Sequence, residues 1–160
     1  MSTAADARRD AKRRARSAAR LHVVQALFQM EAAGQGSDSV IREFEDHRIG
    51  LAQEEGGAVI EADLDLFRLL TGAAVDWQAR IDQMTDRALV EKWPIARIDP
   101  TLRALFRAAG AELVQGDTPP KVVINEFVEV ARAFFPEGRE AGFVNAVLDH
   151  MAREARPEAF

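Results

Sequence analysis

Apolar residues recur along this chain at helical spacing. Leu21, Val24 and Phe28, with Leu27 beside them, mark a first helix that meets no glycine until Gly34. Ser37 or Asp38 caps a short helix carrying Val40, Ile41 and Phe44, and Gly50, Gly56 and Gly57 predict a loop over 50–60. From about Asp63 to Trp93 the apolar side reads Leu66, Leu70, Ala73, Trp77, Ile81, Met84 and Ala88, with a break expected at Thr71-Gly72. Pro94 ends that segment. Asp99 and Pro100 supply a cap and a preset first turn for a helix that buries Leu102, Leu105, Phe106, Ala109 and Leu113, and Thr118, Pro119 and Pro120 repeat the start signal. Val122, Val123 and Ile124 favour a pleated surface taken alone. Ile124, Phe127, Val128, Ala131 and Phe135, however, share one face only on a helix. Pro136 and Gly138 close it, and Phe143, Val144, Val147, Leu148 and Met151 predict the last helix.

The fold class expected is all-α, about seven helices in two packed helical-bundle halves. A flexible basic arm is expected over 1–12 and a single helical domain over 13–155. Pro94 divides that domain into halves of about 13–93 and 94–155, and 156–160 form a C-terminal tail. No internal repeat of solenoid period is found.

A chain of 160 residues with 48% hydrophobic and 29% charged side chains can build one compact core without staples. With no cysteine it has no disulfide, thiolate metal site or cysteine nucleophile, which suits a reducing cytoplasm. The opening residues are charged, and no apolar run of about eighteen residues occurs, so neither a secretory signal nor a spanning helix is expected and no membrane partner is assigned.

Charge changes the picture more than composition. Residues 1–20 hold seven basic side chains (Arg8, Arg9, Lys12, Arg13, Arg14, Arg16 and Arg20) against Asp6 and Asp10, a balance of +5, so the remaining chain carries -10 of the total of -5. Such an asymmetry points to a local contact with an anion rather than general adhesion to nucleic acid. Arg9, Arg13, Arg16 and Arg20 fall within about 60° of arc on a helix. Arginine forks onto phosphate and stacks on bases, which favours nucleic acid; a solvated basic tail is the competing reading.

Catalytic chemistry finds no footing. His22, His47 and His150 lie on separate helices without carboxylates at metal-ligand spacing, and no phosphate loop, nucleophile elbow or zinc-binding histidine pair is present. Neither enzyme activity, metal nor cofactor is expected. Trp77, Trp93 and most phenylalanines read as core.

Three blocks carry a resemblance. Ala19-Arg20-Leu21-His22-Val23-Val24-Gln25-Ala26-Leu27-Phe28 is similar to the "AR...A.QALY" opening of the transcription antitermination factor NusB family. Arg97-Ile98-Asp99-Pro100, Leu102 to Arg107 and Glu112-Leu113 resemble its "R...D..ILR.A..EL" helix. Val123 to Ala131 and Phe143 to Asp149 resemble "V.INE.VELAK.F" and "FVNGVLD". The blocks keep the family's order over most of residues 13–150. The resemblance implies two packed three-helix halves on a shared core. It also implies binding to the boxA element of ribosomal RNA leader transcripts together with the ribosomal protein NusE, in an RNA polymerase antitermination complex that reads through terminators.

Departures from the family pattern are Ala146 for a glycine, Phe28 for a tyrosine, and Ser17 and Ala18 where relatives often carry arginine. The RNA-binding candidates are Arg13, Arg14, Arg16 and Arg20 for phosphates, Gln25 for a base edge, Phe28 as a stacking face, and Phe143 with Asn145 as an aromatic face and an amide at the last helix. For Asn125 and Asn145, capping or interhelical hydrogen bonding is the competing reading, and for Phe143 it is core packing. The acidic remainder offers a docking surface to a basic ribosomal protein.

The same helical domain can precede an RNA methyltransferase. A non-catalytic RNA-binding module assisting an RNA-modifying enzyme is therefore the alternative, with catalysis left to a separate subunit because the chain ends at Phe160. A DNA-binding helical protein is a third reading. The choice between monomer and homodimer stays open.

Overall fold

A computed structural model describes residues 3–49, 62–89 and 95–160. Seven α-helices and two 3₁₀ turns make up these residues, with no strand among them. α1 spans Ala4–Ala33, α2 Ser37–His47, α3 Leu64–Asp76, α4 Gln78–Ala88, α5 Pro100–Gln115, α6 Pro120–Phe134 and α7 Glu140–Ala155. The loop expected over 50–60 and the joint at Pro94 lie outside the described residues, as does Trp93.

α5 is the axis of the fold. Leu102, Leu105, Phe106, Ala109 and Leu113 are buried as expected, and so are Ala104, Ala108, Gly110, Ala111 and Glu112, so this helix is covered all round. It packs against α1, α3, α4, α6 and α7. Small side chains permit that crowding: a Cβ on Gly110 would collide with Ile81 of α4. Asp99 accepts a hydrogen bond from the Thr101 amide and Pro100 opens the helix, as read from the sequence. One continuous hydrophobic cluster runs from Ala19 of α1 to Ala152 of α7.

α1 is a single helix of 30 residues. Thr3 and Asp6 form a reciprocal capping box, and Gly34 ends the helix in the left-handed region at φ 63°. The helix runs through residue 12 without interruption, so the basic segment and the core-facing segment form one rod. An ion-pair cluster fixes its C-terminal end to α5. Glu31 takes both the Nε of Arg103, at 2.9 Å, and its Nη2; Arg107 lies 3.6 Å from Glu31 and forks onto Asp82 of α4 at 2.9 and 3.0 Å. The hydrogen bond from Arg103 holds the Glu31 carboxyl below its ordinary value.

Three local expectations are corrected. The α3–α4 break falls at Trp77, not at Thr71-Gly72: nothing lies near the Gly72 Cα for a side chain to meet, and the helix passes straight through. Trp77 is 41% exposed rather than core, donating its indole N–H to Gln115 at 3.0 Å. At α2, Gly36 is the N-cap residue, without a side-chain hydrogen bond, and Ser37 and Asp38 lie inside the first turn.

Past α7, Arg156 reaches back to the α5–α6 turn. Its guanidinium donates to the carbonyls of Leu113 and Glu112 at 2.8 Å, of Gly116 at 2.7 Å, and of Thr118. A side chain beyond α7 thereby fastens the last turn of α5 and the α5–α6 turn.

Candidate nucleic-acid interface

The first turns of α1 present cations to solvent. Arg9 pairs with Asp6 at 2.5 Å, while Asp10 is shared between Arg13, at 2.6 Å, and Arg14. Hydrogen bonds from Arg14 first and Arg13 second hold the Asp10 carboxyl below its ordinary value. The Arg13 and Arg14 side chains remain 73% and 71% exposed. Such solvent-screened pairs, three or four residues apart on one helix, contribute little, so an incoming phosphate can displace the carboxylate.

Further along the helix the arginine stripe turns into the protein. Arg20, a sequence candidate for phosphate contact, is 2% exposed. Its Nε and Nη2 fork onto the two oxygens of the fully buried Glu112 at 2.8 Å, and Glu126 lies 3.6 Å away. Burial alone would lower the Arg20 pKa, but Glu112, followed by Glu126 and Asp63, outweighs it and leaves the guanidinium more firmly protonated than usual. Thr118 donates to Glu112 at 2.8 Å and accepts from Arg16 at 3.2 Å, and Arg16 stands 3.8 Å from Asp63. Arg16 is thus half-buried in the same network. This corrects the expectation of one solvent-facing stripe: Arg16 and Arg20 share their helix face with Val23 and Leu27, which are core. Arg20 belongs to the interior, holding α1 to α5.

The adjoining face of α1 is open. One groove of about 320 Å³ lies between α1 and α6, lined by Arg13, Arg14, Ser17 and Leu21 on one side and Glu126 and Glu129 on the other. A second, about 650 Å³, is lined by Arg14, Ser17, Ala18, Leu21, His22, Gln25 and Arg48. A third, about 460 Å³, follows along Val24, Gln25, Phe28 and Gln29 and shares Arg48, with Thr101 and Phe134 opposite. Arg14, Gln25 and Phe28 are therefore brought onto one continuous surface. Phe28 is 40% exposed there, and Gln25 is half-buried with its amide oxygen 3.1 Å from His22 Nδ1. Burial pushes the His22 pKa down, and the nearby charge of Arg48 acts in the same direction.

Phe143 and Asn145 stand at the start of α7 and line none of these three grooves. Phe143 is 37% exposed with its ring edge-on to Phe106 at 5.9 Å, so core packing and exposure share this side chain. Asn145 and Asn125 are exposed. Ala146 is exposed as well, so no helix requires a glycine for close approach there. Among the described residues, no group of three or more His, Cys, Asp or Glu side chains is arranged to hold a metal ion, and no helix is long and apolar enough to cross a membrane.

Sequence reasoning missed Arg48, which sits one residue beyond α2 and carries no motif. It also missed Glu112 as the acceptor for Arg20. The signal available was the run of Arg16, Arg20, Val23 and Leu27 at successive helical turns, which places the two arginines over the apolar stripe.

Residues 17–153 match the family model described as the NusB family. The chain belongs to the NusB family. It is 49% identical over 148 residues to a transcription antitermination protein NusB of Maricaulis maris, covering 92% of this chain and 91% of that one. Against its counterpart from Caulobacter vibrioides it is 49% identical over 142 residues, covering 88% and 94%. Among solved structures, a T. maritima NusB aligns with a TM-score of 0.69 at 27% identity, covering 90% of this chain and 95% of that one. The crystal structure of antitermination factors NusB and NusE in complex with dsRNA aligns with a TM-score of 0.69 at 21% identity, covering 86% and 96%.

Proposed function

We propose that this protein is an RNA-binding transcription antitermination factor. It binds boxA-type single-stranded RNA of ribosomal leader transcripts, together with the ribosomal protein NusE, in the cytoplasmic complex that carries RNA polymerase through terminators. The observation that supports this best is the exposed cationic head of α1 running into a groove with an amide and an aromatic face, in a chain belonging to the NusB family. A related fold has been crystallised with NusE and RNA, which supports both partners. Single strands are held by cations along the backbone and stacking faces beside them, and Arg13, Arg14, Gln25 and Phe28 offer both. Phe143 and Asn145, on α7 outside those grooves, are kept as a separate candidate contact. Arg16 and Arg20 act beneath it by fixing the azimuth of α1.

Arg13→Ala with Arg14→Ala tests the reading by fluorescence anisotropy on leader RNA, with and without NusE. The double variant should bind more weakly and show a shallower salt dependence, with its melting temperature nearly unchanged. Unaltered affinity and salt slope would remove the head of α1 from the interface.

A further inference from the structure

Arg48 lies where the second and third of the α1 grooves meet, lining both together with Gln25. Its guanidinium carbon sits 4.9 Å from the centroid of the Phe44 ring. That ring is fully buried and stacked on Phe67 at 5.7 Å, and His22 meets it edge-on at 6.1 Å. A cation on such a fixed aromatic platform loses less freedom on binding than one on a free side chain. Among the described residues no carboxylate forms an ion pair with Arg48, whereas Arg13, Arg14, Arg16 and Arg20 each have one.

We propose that Arg48 is an RNA-phosphate-binding residue, and that the two grooves flanking it seat neighbouring nucleotides of one strand running along α1 from Arg14 towards Phe28. The proposal deepens the RNA-binding reading and rests on it.

The hollows, at about 650 and 460 Å³, have the size of small-molecule sites. Their linings match what a nucleotide presents. Ala18, Leu21 and Val24 form apolar floors, His22 and Gln25 offer groups for a base edge, and the Phe28 ring gives a stacking face. Arg14 at one end and Arg48 between the hollows place cations along the path of a backbone. An acidic peptide would use the cations, but nothing in it requires the exposed ring and amide beside them.

The test measures binding of a short fluorescent single-stranded leader RNA across a salt series for the wild type, Arg48→Gln, Arg48→Lys and the Arg13/Arg14 double alanine variant. Arg48→Gln should bind about five- to ten-fold more weakly at 0.1 M salt, with a log–log salt slope shallower by about 0.7. Arg48→Lys should keep that slope and recover part of the affinity. Thermal melts confirm that each variant is folded. If the double alanine variant weakens binding and Arg48→Gln does not, the Arg48 assignment is overturned while the RNA reading stands. If neither weakens it, the RNA reading fails with it. If Arg48→Gln leaves RNA binding alone unchanged and removes only the gain from adding NusE, Arg48 contacts protein and the proposal is wrong.

Discussion

Replacing Arg20 by alanine separates interior from interface most sharply. Arg20 donates two hydrogen bonds of 2.8 Å to the Glu112 carboxylate, with side-chain exposures of 3% and 0%, so water screens little of the interaction. Removing the cation leaves a carboxylate in the core with only the Thr118 hydroxyl to solvate it. Breaking a buried pair in this way costs about 3–5 kcal/mol. For a chain of this length that corresponds to a fall in Tm of roughly 6–20 °C. Urea denaturation and thermal melts read the loss. Arg20→Met combined with Glu112→Leu, which removes both charges at similar volume, should recover most of it. RNA affinity, measured well below the lowered melting point, should change little compared with the Arg13/Arg14 variant. An Arg20→Ala protein within about 1 kcal/mol of wild-type stability that has lost RNA binding would refute the burial argument, because the guanidinium would then be reaching solvent.

Leu105→Ala, at a fully buried position on α5, should cost about 2–5 kcal/mol, seen as a lower urea midpoint with an unchanged slope. Burial of His22 gives a pH signature. Its folded-state pKa lies below the ordinary value of about 6.5, so the unfolded chain takes up the proton more readily. The stability this contributes is complete above about pH 6.5 and is lost as pH falls from there through the folded pKa; His22→Gln should flatten that part of the stability curve, and an unchanged slope would show that another group titrates there.

Much of this architecture could be read from the chain because the signals were local. The Asp99-Pro100 start, the Ile124–Phe127–Val128–Ala131 face and the end of α1 at Gly34 each depend on neighbours a few residues away. What escaped depended on distant partners. The helical angle of Arg20 was correct, but whether that angle faced solvent was decided by Glu112, 92 positions away. The same holds for Trp77, whose indole bonds to Gln115 from another helix, and for Arg48, whose platform is made by α2 packed on α3. The candidate surface was legible in its cationic head and in Gln25 and Phe28. The groove that joins them was not, since a hollow is a property of several elements together.

Glu112 serves two distant stretches of chain at once. Its carboxylate takes Arg20, while its carbonyl takes Arg156, 44 positions downstream. Contacts between such widely separated positions close only after the intervening helices have collapsed, since loop closure costs more entropy as the loop lengthens. The rotational setting of the leading rod therefore depends on contacts that are far apart in the chain. A partly folded chain would carry its positive charges on a helix free to roll, and only the finished tertiary structure would aim them in one direction.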